Sequence, residues 1–445
     1  MSVQGPSRGQ WSSQLGFILA AAGSAVGLGN IWRFPYMAGK NGGGAFVLVY
    51  LLCVLALGLP VMLVEISLGR ATQRNAVGAI EAVAPGSRWK ALGYLAMLTG
   101  LGILSYYSVI AGRVLACCEA YVASGFSASA DLASAGLGTD IVYFFVFLAL
   151  TVFVVAGGVQ RGIERWAKVL MPLLLVIMAA IIVRGLLLPG AGAGVHWLLK
   201  VDFSRIGLRT VLDAMAQAFF SLSLGMGAML TYGSYLSKHQ DILECGVWVV
   251  TFDTLIAVLA GFMIFPAVFA FGHDPAAGPA LIFGVLPEVF RAMIGGGVVG
   301  AVFFLLLCVA ALTSTVSLLE VVTAYFVDER GWSRRRAVLA IGALTFLIGL
   351  PSALDFAGVE PWSRIAALGQ TGFLSIMDFL WGNLSLAIGS LALCLFVAWV
   401  CGIENASEEI ASTSPLFRRI APVWRFTVTW IAPAAILAIL LTLVL

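Results

Sequence analysis

Apolar residues run along this chain in long blocks, at roughly residues 13–37, 43–70, 90–123, 140–157, 166–188, 208–236, 245–272, 296–327, 335–351, 371–402 and 423–445. Each block can form a helix that crosses a hydrocarbon core about 30 Å thick, so the pattern predicts eleven transmembrane helices. Two blocks are interrupted. Gly23-Ser24-Ala25-Val26-Gly27-Leu28-Gly29-Asn30 breaks the first, and Ser221-Leu222-Ser223-Leu224-Gly225-Met226-Gly227 breaks the sixth. A helix in lipid must satisfy its own backbone, so a break is tolerated only where protein or a watery cavity takes the freed groups. The breaks lie almost half a chain length apart, as expected if two repeats each contribute one broken helix to a site near the membrane midplane. Residues 1–205 and 206–402 are therefore expected to form inverted five-helix repeats, with 403–445 holding a connection and the eleventh helix.

Composition agrees with the pattern. The chain is 61% hydrophobic and only 11% charged, with a mean hydropathy of +1.02, whereas a soluble domain carries about 25% charged residues. Arg8, Arg70, Arg74, Arg88, Lys90, Arg161, Arg165, Lys168, Lys238, Arg330, Arg334, Arg335, Arg336, Arg418, Arg419 and Arg425 fall in the N-terminus or in connections on its side of the membrane. The opposite side carries half as many basic residues. Because basic loops are retained in the cytoplasm, the N-terminus is expected inside, and an odd span count then puts the C-terminus outside. The polar first twelve residues and the lack of a small-residue cleavage site argue against a removable signal peptide. Most of the seven cysteines fall within spans and read as packing residues, without the spacing of a zinc site or a disulfide framework. No basic run exceeds Arg334-Arg335-Arg336, and nothing points to nucleic acid. His196, His239 and His273 sit in separate connections without clustered ligands, so no enzyme chemistry is expected.

The run Trp32-Arg33-Phe34-Pro35, preceded by Gly27-Leu28-Gly29-Asn30 and followed by Asn41-Gly42-Gly43-Gly44-Ala45-Phe46, resembles the signature of the neurotransmitter:sodium symporter family. Phe220-Ser221-Leu222-Ser223-Leu224-Gly225 and Leu312-Thr313-Ser314 extend the resemblance, which covers all eleven spans. It implies the leucine-transporter fold and sodium-coupled symport of hydrophobic, branched and aromatic L-amino acids by alternating access. Sodium is a hard cation that favours oxygen ligands, and an unwound helix frees carbonyls for it. By resemblance, sodium site 1 uses Ala25, Asn30, Ser221, Asp253 and the substrate carboxylate, and sodium site 2 uses Gly23, Val26, Ala310, Thr313 and Ser314. The half-helix N-terminus at Leu28 and Gly29 offers orphan N–H groups to that carboxylate, and Tyr107 matches the tyrosine that holds it. Ser24, Ala25, Phe220, Ser221 and Ser314 match positions around the amino end. Ile103, Tyr107, Phe220, Ser223, Met226 and Leu318 match the side-chain pocket, where the flexible Met226 suits ligands of different size. Gly27 stands where amine-transporting relatives carry an aspartate, which argues against amines.

Chloride-dependent relatives hold the anion with a tyrosine, a glutamine, a serine, an asparagine and a second serine. Tyr50, Gln217 and Ser221 match the first three here, but Asp253 and Ala257 replace the others. A built-in carboxylate implies that no chloride is needed, and its protonation on the empty return step would carry a proton outward. Arg33 with Asp378 matches the outer gate, and Arg8 with Asp328, near Trp11, the inner gate. Gly162 and Pro172 bracket a segment of span 5 that unwinds in the family. Glu65 and Glu320 are expected in buried hydrogen-bonded networks. Arg113 is read as lining the outer vestibule or snorkelling, with neither favoured. The protein is expected to be a monomer or weak oligomer in a bacterial inner membrane. The alternatives are a transporter of another small amino acid and a non-transporting receptor with the same pocket.

Overall fold

The computed structural model describes residues 9–127, 136–276 and 281–444. Among them, nine helices are long and apolar enough to span a membrane: Gly44–Thr72, Lys90–Ala123, Leu137–Ala156, Val159–Leu186, Ile242–Ala270, Gly296–Asp328, Arg334–Phe356, Phe373–Ala411 and Pro415–Leu443. These are spans 2 to 5 and 7 to 11. Span 1 is a pair, Gln14–Ala25 and Gly29–Lys40, bent by 52°. Span 6 is two half-helices, Leu208–Ser221 and Ala228–Gly233, each too short to cross alone. The nine uninterrupted helices and the two broken spans fall where the sequence pattern puts them, with spans 1 and 6 as the interrupted ones.

Each break has a local cause. Val26 leaves the helical region at φ −73°, ψ 109°, which frees the carbonyls of the turn before it. In the second break Ser223, Gly225 and Gly227 all take positive φ. At Gly225 a side chain is excluded twice over: φ is +85°, and an added Cβ would sit 2.3 Å from the Leu386 carbonyl oxygen of span 10. The freed donors are not left bare. The fully buried Glu65 of span 2 accepts from the Gly225 N–H at 2.7 Å and the Leu230 N–H at 3.2 Å. It satisfies the turn and the start of the second half-helix together.

Spans 3 and 8 lie side by side and are the most enclosed helices, while spans 4, 5 and 11 turn more of their surface outward. Tyr235 and Arg334 both donate to Glu320 of span 8, so Glu320, like Glu65, belongs to a buried network. Arg113 pairs with Asp140 of span 4 at 3.0 Å, a tie between two helices.

Short helices fill connections that the hydrophobic pattern leaves blank. Ala76–Val83 begins on an Asn75 cap whose side chain accepts from Val77 and Gly78. Ile403–Ala411 extends span 10 beyond residue 402, where its polar face meets the buried Arg70 of span 2. An antiparallel pair, Ala366–Ala367 with Gln370–Thr371, joins spans 9 and 10. The stretch from Gly162 to Pro172 is wound throughout, with Pro172 inside Arg165–Leu186. All seven cysteines are free thiols, most of them buried.

Candidate functional site

The two breaks face each other, and the Ser223 hydroxyl donates across to the Ser24 carbonyl at 3.2 Å. Between them is a cavity of about 40 Å3 lined by Ser24, Ala25, Gly29, Ile103, Tyr107, Phe220, Ser221, Ser223, Met226, Ser314 and Leu318. All are expected from the sequence. Leu28 does not border the cavity; its N–H donates to the Tyr107 hydroxyl at 2.9 Å, while the Gly27 N–H donates to the Asn30 side chain at 3.1 Å. The orphan donors of the half-helix are thus held by two exchangeable polar side chains, an arrangement a carboxylate can enter. Gly27 itself lines the cavity, and a Cβ there would sit 2.5 Å from the Ser314 hydroxyl and 2.7 Å from that of Tyr107.

Beside the cavity, Asn30, Ser221, Tyr50 and Asp253 form a closed polar cluster. Asn30 donates to Asp253 Oδ1 at 2.7 Å and to the Asp253 carbonyl at 3.0 Å. Ser221 donates to the same carboxylate at 2.9 Å, and Tyr50 at 3.3 Å. Asp253 is fully buried, and no Lys or Arg among the described residues pairs with it. A buried carboxylate with hydrogen bonds but no counter-charge remains costly when ionised, so the cluster is suited to a small cation brought from outside. Gln217 turns away from it, donating to the Gly29 carbonyl at 3.1 Å.

A second oxygen-rich corner joins spans 1 and 8. Thr313 donates to the Ala310 carbonyl at 2.9 Å and lies 3.4 Å from that of Val26. Ser314 reaches the Val26 carbonyl at 3.2 Å and that of Ser24 at 3.3 Å. Gly23 packs against Thr313, with 3.2 Å between its Cβ position and the threonine Cβ. Hydroxyls and carbonyls that converge without a formal charge suit a weakly hydrated monovalent ion.

On the Arg33 side, a vestibule of about 590 Å3 stands above the cavity, bordered by Trp32, Tyr106, Phe220, Asp378 and Asn383. Arg33 and Asp378 do not pair directly. The Arg33 guanidinium lies 4.3 Å over the Phe220 ring and donates to Asn383 at 3.0 Å, and the Asn383 amide in turn donates to Asp378 at 3.3 Å. Tyr106, whose place in the sequence suggests packing, donates to Asp378 at 2.8 Å. On the opposite side the path is packed shut: the buried Trp11 donates to the Tyr232 carbonyl at 2.9 Å and stacks edge-on against Phe17, Tyr232 and Tyr235. Arg8 lies outside the described residues, and Asp328 accepts from Asn75 at 3.1 Å.

Sequence reasoning missed Asn383, the hydroxyl of Tyr106 and Leu386, which also lines the cavity. All belong to spans 3 and 10, where the helix is continuous and no break in the pattern marks a function.

Comparison with known proteins places this geometry. A sequence profile of the Sodium:neurotransmitter symporter family matches residues 8–134 and 119–445. The chain is 37% identical to the sodium-dependent transporter YhdH of Bacillus subtilis, over 100% of this chain and 99% of the relative. It is 34% identical to a sodium-dependent transporter of Haemophilus influenzae, over 99% of both. Among solved structures, that of MhsT in complex with L-phenylalanine matches with a TM-score of 0.87 and 41% identity, covering 98% of this chain and 100% of that one.

Proposed function

The chain belongs to the sodium:neurotransmitter symporter family and is a multi-pass membrane transporter, and from that premise we propose that it carries hydrophobic L-amino acids together with two sodium ions, independently of chloride. The observation that carries this reading is the pairing of a small, mostly apolar cavity with the buried Asp253 cluster at its edge. The half-helix N–H groups and Tyr107 take the substrate carboxylate; Ile103, Phe220, Met226 and Leu318 take its side chain. That carboxylate and Asp253 flank the first sodium with Asn30 and Ser221, so ion and substrate bind cooperatively through direct charge contact. The second sodium sits among Gly23, Val26, Ala310, Thr313 and Ser314 and ties broken span 1 to span 8. The phenylalanine complex of the 41% identical relative supports an amino acid as substrate.

Coupling follows from linkage. Ligands shift an equilibrium only by their differential affinity for its states, so sodium drives transport because its sites are complete in some conformations and open in others. In this reading residues 1–205 and 206–402 are inverted repeats, 403–445 adds the last span, and spans 1, 2, 6 and 7 rock against the rest. The N-terminus is cytoplasmic in a bacterial inner membrane, so the Arg33 vestibule opens outward and Trp11 closes the inner path. The outer gate is Arg33 joined to Asp378 through Asn383. Such half-exposed charge contacts contribute only ~0–1 kcal/mol each, which suits latches on a near-balanced equilibrium.

Equilibrium binding of radiolabelled phenylalanine to the purified protein tests the reading. Saturable binding in sodium, lost in potassium or choline and indifferent to replacing chloride by gluconate, is the expected result. Binding that ignores sodium, or that requires chloride, overturns the corresponding part.

A further inference from the structure

The cavity between the breaks holds about 40 Å3, room for on the order of three waters at roughly 10–15 Å3 each and less than a leucine requires. A bulky substrate therefore enters only if a wall gives way. Ile103 and Leu318 belong to the enclosed spans 3 and 8, where displacement compresses a packed interior. Leu386 of span 10 is different. It borders the substrate cavity and also a second cavity of about 560 Å3 between spans 6, 10 and 11. Phe220 borders both as well, but the Arg33 guanidinium lies over its ring at 4.3 Å.

The backbone of span 10 packs directly on that of span 6 at this point, so withdrawing it would open a close-packed seam. A Cβ on Gly225 would lie 2.3 Å from the Leu386 carbonyl oxygen, and one on Gly389 would lie 2.3 Å from the Gly225 carbonyl oxygen, so the two backbones are in direct contact. On span 10, expansion falls to the Leu386 side chain. Moving it toward existing empty volume forfeits few contacts, whereas the same displacement in a close-packed wall loses dispersion energy and creates overlap.

We propose that Leu386 is the yielding wall of the substrate pocket and sets the largest side chain accepted, with the second cavity receiving the distal part of an aromatic substrate. This rests on the amino-acid reading above and names the residue that grades substrates within it. Span 10 thereby contributes to selectivity although its sequence carries no break or charge at this position.

The test is sodium-dependent binding of radiolabelled leucine to the full-length protein, competed by phenylalanine, tryptophan and the larger naphthylalanine. L386A is expected to favour naphthylalanine over leucine by about tenfold or more relative to wild type, the discrimination typical of a small change in pocket volume. L386F is expected to disfavour tryptophan by a similar factor. Unchanged competition ratios in the two variants overturn the assignment while leaving the amino-acid reading intact. Should L386A fail to fold, L386V and L386F carry the same comparison in opposite directions. Wild-type protein that binds none of these amino acids in sodium removes the amino-acid reading and this proposal with it.

Discussion

Asp253 is the residue on which most of the chemistry turns. Its carboxylate meets Asn30, Ser221 and Tyr50 in full burial and no basic side chain among the described residues, so its charge is satisfied best by a bound cation. Asp253→Asn is expected to weaken sodium dependence of substrate binding by about tenfold or more, roughly 1.4 kcal/mol or above, read from sodium titrations at fixed substrate. A carrier that returns empty with a proton on this carboxylate takes that proton from the compartment into which it has released its cargo. An acidic vesicle lumen should therefore speed uptake by wild-type protein, and the Asn variant should lose that response. Gly27 makes a second test. A methyl there meets the Ser314 and Tyr107 hydroxyls at 2.5 and 2.7 Å, so Gly27→Ala should displace Tyr107 from the Leu28 N–H and lower substrate affinity by about tenfold, the effect of losing one charge-assisted hydrogen bond. Eleven of the thirteen residues that line the pocket are legible in the sequence because broken helices and a distinctive motif mark them. Of the other two, Gly27 lies in the same motif but is read there only as arguing against amines, and Leu386, like Asn383 of the vestibule, is not legible, since one leucine or asparagine in a long apolar helix looks like any other until its neighbours are known.

Helix breaks show a similar division. Glycines announce where spans 1 and 6 stop, but not what takes over their hydrogen bonds. In span 6 that group is Glu65, whose two carboxylate oxygens face the N–H groups of Gly225 and Leu230. Glu65→Gln turns one acceptor into a donor and leaves an N–H facing an N–H. The expected destabilisation is about 1–3 kcal/mol, the cost of one buried unsatisfied group, seen as a lower melting temperature in detergent with the protein still folded at low temperature. Span ends are less legible than span centres. Residues 403–411 are amphipathic, so an apolar block stops before the helix does; Arg70 and Glu409 then anchor that extension at 2.8 Å. The Gly162 to Pro172 segment is wound in this structure, and its missing proline N–H makes it the place in span 5 where unwinding disrupts least.

The molecule as a whole is asymmetric across the cavity between its two breaks. A vestibule of about 590 Å3 lies on the Arg33 side, while Trp11 and its aromatic neighbours fill the other. The proposed alternating access requires the reverse arrangement to be within a few kcal/mol, so that bound sodium and substrate would shift the balance between the two. Hydropathy made the membrane class and the two broken helices readable, and the basic residues set an expected orientation. Which side is open depends on small differences between two packings of one sequence, which no residue pattern encodes. Uptake of radiolabelled leucine and tryptophan into proteoliposomes, with and without an inward sodium gradient, bears on the whole scheme at once. The expected result is transient accumulation above equilibrium when the gradient is present, abolished by a sodium ionophore. Saturable binding with no accumulation under the same gradient would mean that the pocket recognises amino acids without carrying them.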